Sequence, residues 1–302
     1  MRDERGDLAT RILAVLTADT YEVIVEPPGQ GDGFWAGGPS AAAADGTIWL
    51  AYRLRRPVDQ GRGYANVVAR STDGLNFDTL TTVTSEQFGS ASLERPAVVP
   101  LADGGLRLYV SCSTLGSKHW WVEAVDLPSG DRHPVLPGDA ATAWKDVVVR
   151  SGSDGWRMWA CRHPLVDGDE EADRMTTWYA TGADGLTWDL RRVALSPRPG
   201  TWDARGTRVA SVLRNGDGWL AFYDGRASAA ENWNERTGVA HGTSPGAFVA
   251  IGDPTPPGAT LRYLSVLELA DGYRLYWEAS RVDGAHELRS AYVPRSVPAG
   301  PP

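Results

Sequence analysis

Residues 144–162 read Trp144-Lys145-Asp146-Val147-Val148-Val149-Arg150-Ser151-Gly152-Ser153-Asp154-Gly155-Trp156-Arg157-Met158-Trp159-Ala160-Cys161-Arg162. A charged pair leads into three consecutive valines, whose branched side chains favour a pleated strand buried on both faces. Asp154-Gly155 then predicts a tight turn, because a two-residue hairpin loop needs residues that tolerate positive φ. Beyond it Trp156, Met158 and Ala160 alternate with Arg157, Trp159 and Cys161, the period of a half-buried strand. The same unit recurs around Asp45-Gly46, Asp103-Gly104, Asp217-Gly218 and Asp271-Gly272.

The five turns stand 58, 51, 63 and 54 residues apart. Periods of this size, each holding several short strands, predict an all-β radial array: a five-bladed β-propeller with one four-stranded sheet per blade. A β-sandwich also has many short strands but gives no reason for five similar periods. The last repeat has only three strands, near 261–268, 273–279 and 286–292. Tyr21-Glu22-Val23-Ile24-Val25-Glu26 alternates as a strand ahead of the first blade. It is expected to pair with 286–292 as the fourth strand of the last blade, so that the closed ring keeps no open edge. Residues 7–18 carry apolar side chains at helical spacing with Asp7 as the cap, which makes 1–20 a short helical extension. The Pro-rich residues 294–302 read as a frayed tail, and 1–302 as a single domain.

Composition narrows the function. The 302 residues are 42% apolar with 13 Trp and 10 Tyr, ample for a core, and the net charge is −8. That charge argues against a nucleic-acid or anionic-membrane partner. No apolar run approaches the ~18 residues of a membrane span, and Ile12-Leu13-Ala14-Val15-Leu16 is too short for a secretory segment. Cys112 and Cys161 read as equivalent positions of successive repeats, too far apart for a disulfide. Two buried thiols suit the cytoplasm. The five histidines lack zinc spacing, and no phosphate-loop or dinucleotide glycine pattern occurs, so no metal and no cofactor is expected.

Two further signals lie between the repeats. Ser71-Thr72-Asp73-Gly74-Leu75-Asn76-Phe77 and Ala180-Thr181-Gly182-Ala183-Asp184-Gly185-Leu186-Thr187-Trp188 resemble Asp-box turns, in which an Asp accepts backbone hydrogen bonds above a packed aromatic. They are read as rim structure rather than as a site. The long connections 164–175 and 224–235 are candidates to overhang a site, although the acidic run Asp167–Glu171 reads first as a solvated face.

In a propeller the innermost strands converge on the axis, so the side chains at their starts share one funnel. Those starts offer Asp32 and Trp35, then Glu94 and Arg95, then Lys145 and Asp146. After them come Asp203, Arg205 and Arg208, and finally Arg262. A core needs none of these charges, and gathering them costs desolvation energy. Cations outnumber carboxylates, so the ligand is expected to carry a carboxylate or phosphate, which Arg grips in two-pronged fashion. The polar stretch Asp224–Gly238 adds Asp224, Arg226 and Glu235. His163, at the end of a strand, is a further binding candidate. Glu278 reads as an ion-pair partner, and Lys118-His119-Trp120-Trp121 as packing between blades or a platform for a sugar.

Taken together, the five periods, the two rim turns, Lys145-Asp146-Val147 and Phe222-Tyr223-Asp224-Gly225-Arg226 resemble the five-bladed propeller superfamily of arabinanases, invertases and levansucrases. The resemblance implies a glycoside hydrolase acting on a glycoside or modified sugar through three acids. By position Asp146 matches the transition-state stabiliser, Asp32 is the carboxylate nearest the first slot, and Asp203 is the candidate general acid. Glu94 and Glu235 are auxiliary candidates. Trp35-Ala36-Gly37-Gly38-Pro39-Ser40 has no acid at the strand start, and the third slot holds Asp where the family has Glu. A sugar-binding propeller without catalysis, or another reaction on a sugar-like or nucleoside-like metabolite, stand as alternatives.

Overall fold

The computed structural model describes residues 4–165, 174–257 and 261–295. The acidic run 167–171 and the tail from 296 lie outside the described residues. Strands Thr142–Gly152, Gly155–Pro164, Thr176–Gly182 and Asp189–Leu195 form one antiparallel meander. Gly206–Asn215, Gly218–Arg226, Arg236–Ser244 and Ala247–Ile251 form another. A third begins with two short strands, Ser92–Leu93 and Ala97–Pro100, which both pair with Leu106–Ser113 before Trp120–Leu127 and Arg132–Leu136 follow. Trp35–Ala44, Thr47–Arg55, Gly63–Ser71 and Asp78–Thr84 form the first meander in the chain. It touches the last one, Leu261–Glu268, Gly272–Ser280 and His286–Pro294, through a single parallel bridge between Trp35 and His286. These sheets are the blades of a β-propeller, and the apolar faces between them form the core.

The missing fourth strand of the last sheet comes from the other end of the chain. Glu22–Val25 pairs antiparallel with His286–Pro294, placing Glu22 opposite Ser290 and Val23 opposite Arg289. The preceding helix spans Glu4–Leu16, so Asp7 falls inside it instead of capping it. Leu8, Ile12 and Leu16 pack among Leu213, Phe222, Leu261 and Leu275, bridging two neighbouring sheets. Pro294 ends the last strand, and Arg295 N–H donates to Asp271 O at 2.8 Å, so the chain is held one residue past the expected start of the tail. Deleting residues 1–26 removes both the closing strand and the helix, and is expected to abolish cooperative thermal unfolding. A truncated chain that melts like the intact one would show that closure contributes nothing.

The hairpin turns sit where Asp-Gly predicts them, with one refinement. At Asp45-Gly46 both residues take positive φ, 50° and 75°, between the paired Ala44 and Thr47. At the other end of the quoted stretch Gly152 pairs with Gly155, so the loop is Ser153-Asp154, and Gly155 opens the return strand at φ 104°. The loop is likewise Gly216-Asp217, one residue early. On the rim, Asp73 accepts from Leu75 N and Asn76 N at 2.8 Å, and Asp184 does the same for Leu186 and Thr187.

Candidate ligand site on the propeller axis

The strand that leads each meander carries a one-residue bulge at the same place. Gly37 faces Arg53 and then Ser40 faces Ala51; Lys145 faces Cys161 and then Val148 faces Trp159. Arg262 faces Glu278 and then Ser265 faces Tyr276, and the slip recurs between Val209 and Ser211. In the third sheet it falls at the break between Leu93, opposite Cys112, and Ala97, opposite Tyr109. A bulge bends the strand and re-aims its side chains. Gly37, Glu94, Lys145, Arg208 and Arg262 therefore occupy one ring just ahead of the bulges, and Gly38, Arg95, Asp146, Val209 and Tyr263 lie on them. This register also places Ser111, not Cys112, at the position equivalent to Cys161; both cysteines are free and buried.

Two bulge residues hold a backbone conformation that costs about 1–3 kcal/mol outside glycine. Asp146 sits at φ 52° and Tyr263 at φ 55°. Their backbone N–H groups are tied down, Asp146 N to Ser111 Oγ at 2.9 Å and Tyr263 N to the Asp224 carboxylate at 3.1 Å.

Above the bulges lies a web of buried ion pairs. Arg208 donates to Asp224 at 2.8 Å and to Asp146 at 3.3 Å, lies 3.5 Å from Glu235, and stacks 3.9 Å above the Tyr263 ring. Arg262 reaches Glu235 at 3.1 Å and Glu278 at 3.6 Å. Arg53 joins Glu94 to Glu278, and His286 Nδ1 lies 2.8 Å from Glu278 Oε1. Burial alone would raise the Glu94 carboxyl, but Arg53, Arg62 and Lys145 hold it at about 2. Burial likewise works against Glu235, and Arg262, Arg208 and Arg226 still bring it below the ordinary range. Asp224 goes the other way: burial, helped by Glu235, lifts its carboxyl in spite of Arg208.

These groups wall a cavity of about 240 Å³. Six arginines and two lysines among the described residues line it against two carboxylates, Glu94 and Glu235. Among the described residues Arg55 and Lys145 make no ion pair with a carboxylate. Arg55 lies instead 3.8 Å over the Trp35 ring and 5.3 Å from that of Trp233, and Lys145 Nζ lies 4.2 Å over Trp120. Burial, reinforced by Arg53, lowers Arg55 to about 10. The loop after strand Gly218–Arg226 does reach over the site. Its Asn232 and Trp233 line the cavity, with Asn232 accepting from Arg226 at 2.6 Å and Trp233 edge-on to Trp35 at 5.9 Å.

The residues expected at the site divide into three groups. Glu94, Glu235, Lys145, Arg208, Arg226 and Arg262 line the cavity. Asp146 and Asp224 are buried behind Arg208, Trp35 beneath Arg55, and His163 behind Trp120, whose ring centre is 5.0 Å away. The rest do not line the cavity. Asp203 is buried in a turn by Arg198 at 3.0 Å and Tyr223 OH at 2.8 Å. Asp32 is exposed, Arg205 lies on the approach to strand Gly206–Asn215 with its N–H on Arg226 O, and Arg95 lines a different cavity. The acid set Asp146, Asp203 and Asp32 is therefore not assembled. Lys118 and Trp120, from the stretch read as packing or as a platform for a sugar, line the cavity too. The inner-strand starts do not announce Arg53, Arg55, Arg62 and Trp233; the alternation Arg53-Leu54-Arg55 on a second strand is the signal that places two of them on one face.

No protein-family model and no curated protein matches the chain. Solved structures do. A thermostable family-43 glycoside hydrolase superposes with TM-score 0.68 at 10% identity, over 91% of this chain and 93% of its own. The GH43_1 enzyme from Xanthomonas citri, complexed with xylose, gives 0.67 at 13% identity over 94% and 93%. The β-1,2-mannobiose phosphorylase from Listeria innocua gives 0.60 at 14% identity over 89% and 92%. The chain has the β-propeller fold of these glycoside hydrolases and phosphorylases.

Proposed function

We propose that the protein takes an anionic sugar, or a sugar-sized metabolite bearing a carboxylate or phosphate, into the axial cavity and acts within the sugar-processing chemistry of its structural neighbours. The observation that carries this reading is the excess of cations on the cavity wall among the described residues, where Arg55, Lys118 and Lys145 make no ion pair. The volume is below the roughly 300–1,000 Å³ of drug-sized pockets, which suits a single sugar ring. Trp120 and Trp233 supply the apolar faces on which such a ring packs. Hydrolysis by a protonated acid and an ionised partner has less support. The two carboxylates that reach the cavity are both held ionised, and Asp224, which keeps its proton more readily, is walled off by Arg208. On this reading Glu94 and Glu235 serve as bases or as anchors for the cations. The five hairpins are read as five blades and the turns at Asp73 and Asp184 as Asp-boxes, and two free buried thiols favour the cytoplasm.

Titration calorimetry with glucuronate, glucose 6-phosphate, glucose and inorganic phosphate tests the reading. A charge-assisted contact is worth about 1.5–3 kcal/mol, so each charged sugar should bind at least about tenfold more tightly than glucose, and less tightly as salt rises. Tight binding of inorganic phosphate together with a neutral disaccharide would instead favour phosphorolysis. Equal, salt-independent affinity for glucose would overturn an anionic ligand.

A further inference from the structure

The opposite end of the axis holds a second cavity of about 250 Å³, lined by the residues just past the bulges. Ser40, Ser211 and Ser265 occupy the same post-bulge position in three lead strands and all line it. Each hydroxyl accepts from a backbone N–H of a neighbouring sheet: Ser40 from Val98 at 3.1 Å, Ser211 from Val266 at 3.1 Å and Ser265 from Ala41 at 3.0 Å. A hydroxyl that accepts in this way still has its own proton to donate. None of the three donates to a described residue, so the protons remain available to the space they line.

Arg95 lines the same cavity and is buried. Its Nε and Nη2 donate to Pro39 O and its Nη2 also to Ala210 O at 2.8 Å, while its buried Nη1 has no partner among the described residues. No carboxylate among the described residues forms an ion pair with this guanidinium, and burial lowers it to about 10 in spite of Asp146 and Asp224. Arg150 and Glu268 are the other charged groups on the wall among the described residues; Glu268 acts electrostatically on Arg150 and pairs with Arg295 at 3.0 Å. Asp146 and Asp224 counter part of the Arg95 charge from behind, while the wall itself, with Arg95 and Arg150 against Glu268 among the described residues, keeps a positive charge in excess. A buried charge that is only partly compensated is expensive, and the three hydroxyl protons with the free Nη1 are donors without a partner.

We propose that this cavity is an anion site, occupied by a single small monovalent inorganic anion, chloride in the simplest case, held by Arg95 Nη1 and the hydroxyls of Ser40, Ser211 and Ser265. One negative charge offsets the excess on the wall. A water fills roughly 30 Å³, so the cavity admits an ion with several waters. The site is independent of the ligand cavity, because it faces the other end of the axis and shares none of its lining residues. The anion stabilises the ring where the lead strands converge, since each serine that holds it also ties one sheet to another.

Two measurements on the intact protein decide the matter. Crystals grown in sodium bromide should show an anomalous peak within hydrogen-bond reach of Arg95 and the three serines. At fixed ionic strength and sodium concentration, replacing gluconate by chloride should raise Tm saturably. Arg95→Gln should lose that chloride-dependent rise, with a Tm in gluconate close to that of the wild type, because the variant no longer buries an unpaired charge. Absence of bromide at Arg95, or a Tm indifferent to chloride, overturns the proposal, as does an unchanged chloride response in Arg95→Gln. If that variant does not fold, the wild-type bromide map alone decides.

Discussion

Arg208→Met should destabilise the protein by about 3–5 kcal/mol, the usual cost of removing one partner from a buried ion-pair network. The methionine keeps much of the stem packing on Tyr263 but leaves Asp224, Asp146 and Glu235 without the guanidinium that all three share. Asp224 depends on it most, at 2.8 Å, because burial and Glu235 already raise its carboxyl against the pull of Arg208. Arg208→Met combined with Asp224→Asn should therefore recover part of the loss, which a pair of independent sites would not do. Urea unfolding reads both effects, and a single-variant loss under about 1 kcal/mol would mean that the network does not hold the funnel together. Acid should attack the same network. A Glu94 carboxyl held at about 2 in the folded state contributes stability that is complete above its unfolded value and is lost as pH falls toward 2. Glu235 has the same sign. Asp224 has the opposite one, because its raised carboxyl favours folding as pH falls through that raised value.

The periodic Asp-Gly turns made the propeller legible, since each is a local signal repeated at intervals that only a radial array explains. Ring closure was legible for a similar reason: three strands at one end of the chain and one alternating strand at the other have one economical pairing. The site was legible only in part. Glu94, Lys145, Arg208 and Arg262 could be picked out because they precede the bulge in equivalent strands. Arg95 could not be placed, since it follows Glu94 directly and only the bulge between Leu93 and Ala97 separates the two toward different cavities. Asp203 misled because its position along the chain suited an acid slot. Its partners Arg198, Thr201 and Tyr223 are what turn it into a rigid corner of the fold. Arg53 and Arg55 escaped because they reach the funnel from a second strand, and Trp233 because it arrives on a loop at φ 75°.

Arg55→Met should separate binding from stability more sharply than any other change at the site. Arg55 is buried, has no carboxylate partner among the described residues, and its Nε makes no hydrogen bond. It rests on the face of Trp35 and beside Trp233, which accommodate an aliphatic chain almost as well as a guanidinium. Removing it takes away repulsion from Arg53 together with an unpaired buried charge, so folding stability should hold or rise. Affinity for a carboxylate- or phosphate-bearing sugar should fall by about 10–100-fold, the loss of one charge-assisted contact at about 1.5–3 kcal/mol. Binding to the wild type should also weaken as pH approaches about 10, where the free protein begins to lose this cation, and Arg55→Met should lack that limb of the profile. Calorimetry and thermal unfolding on the same two proteins read the split. A variant that loses stability while keeping its affinity would make Arg55 a structural cation, and the anionic ligand would then have to be held by Lys145, Lys118 and Arg62 alone.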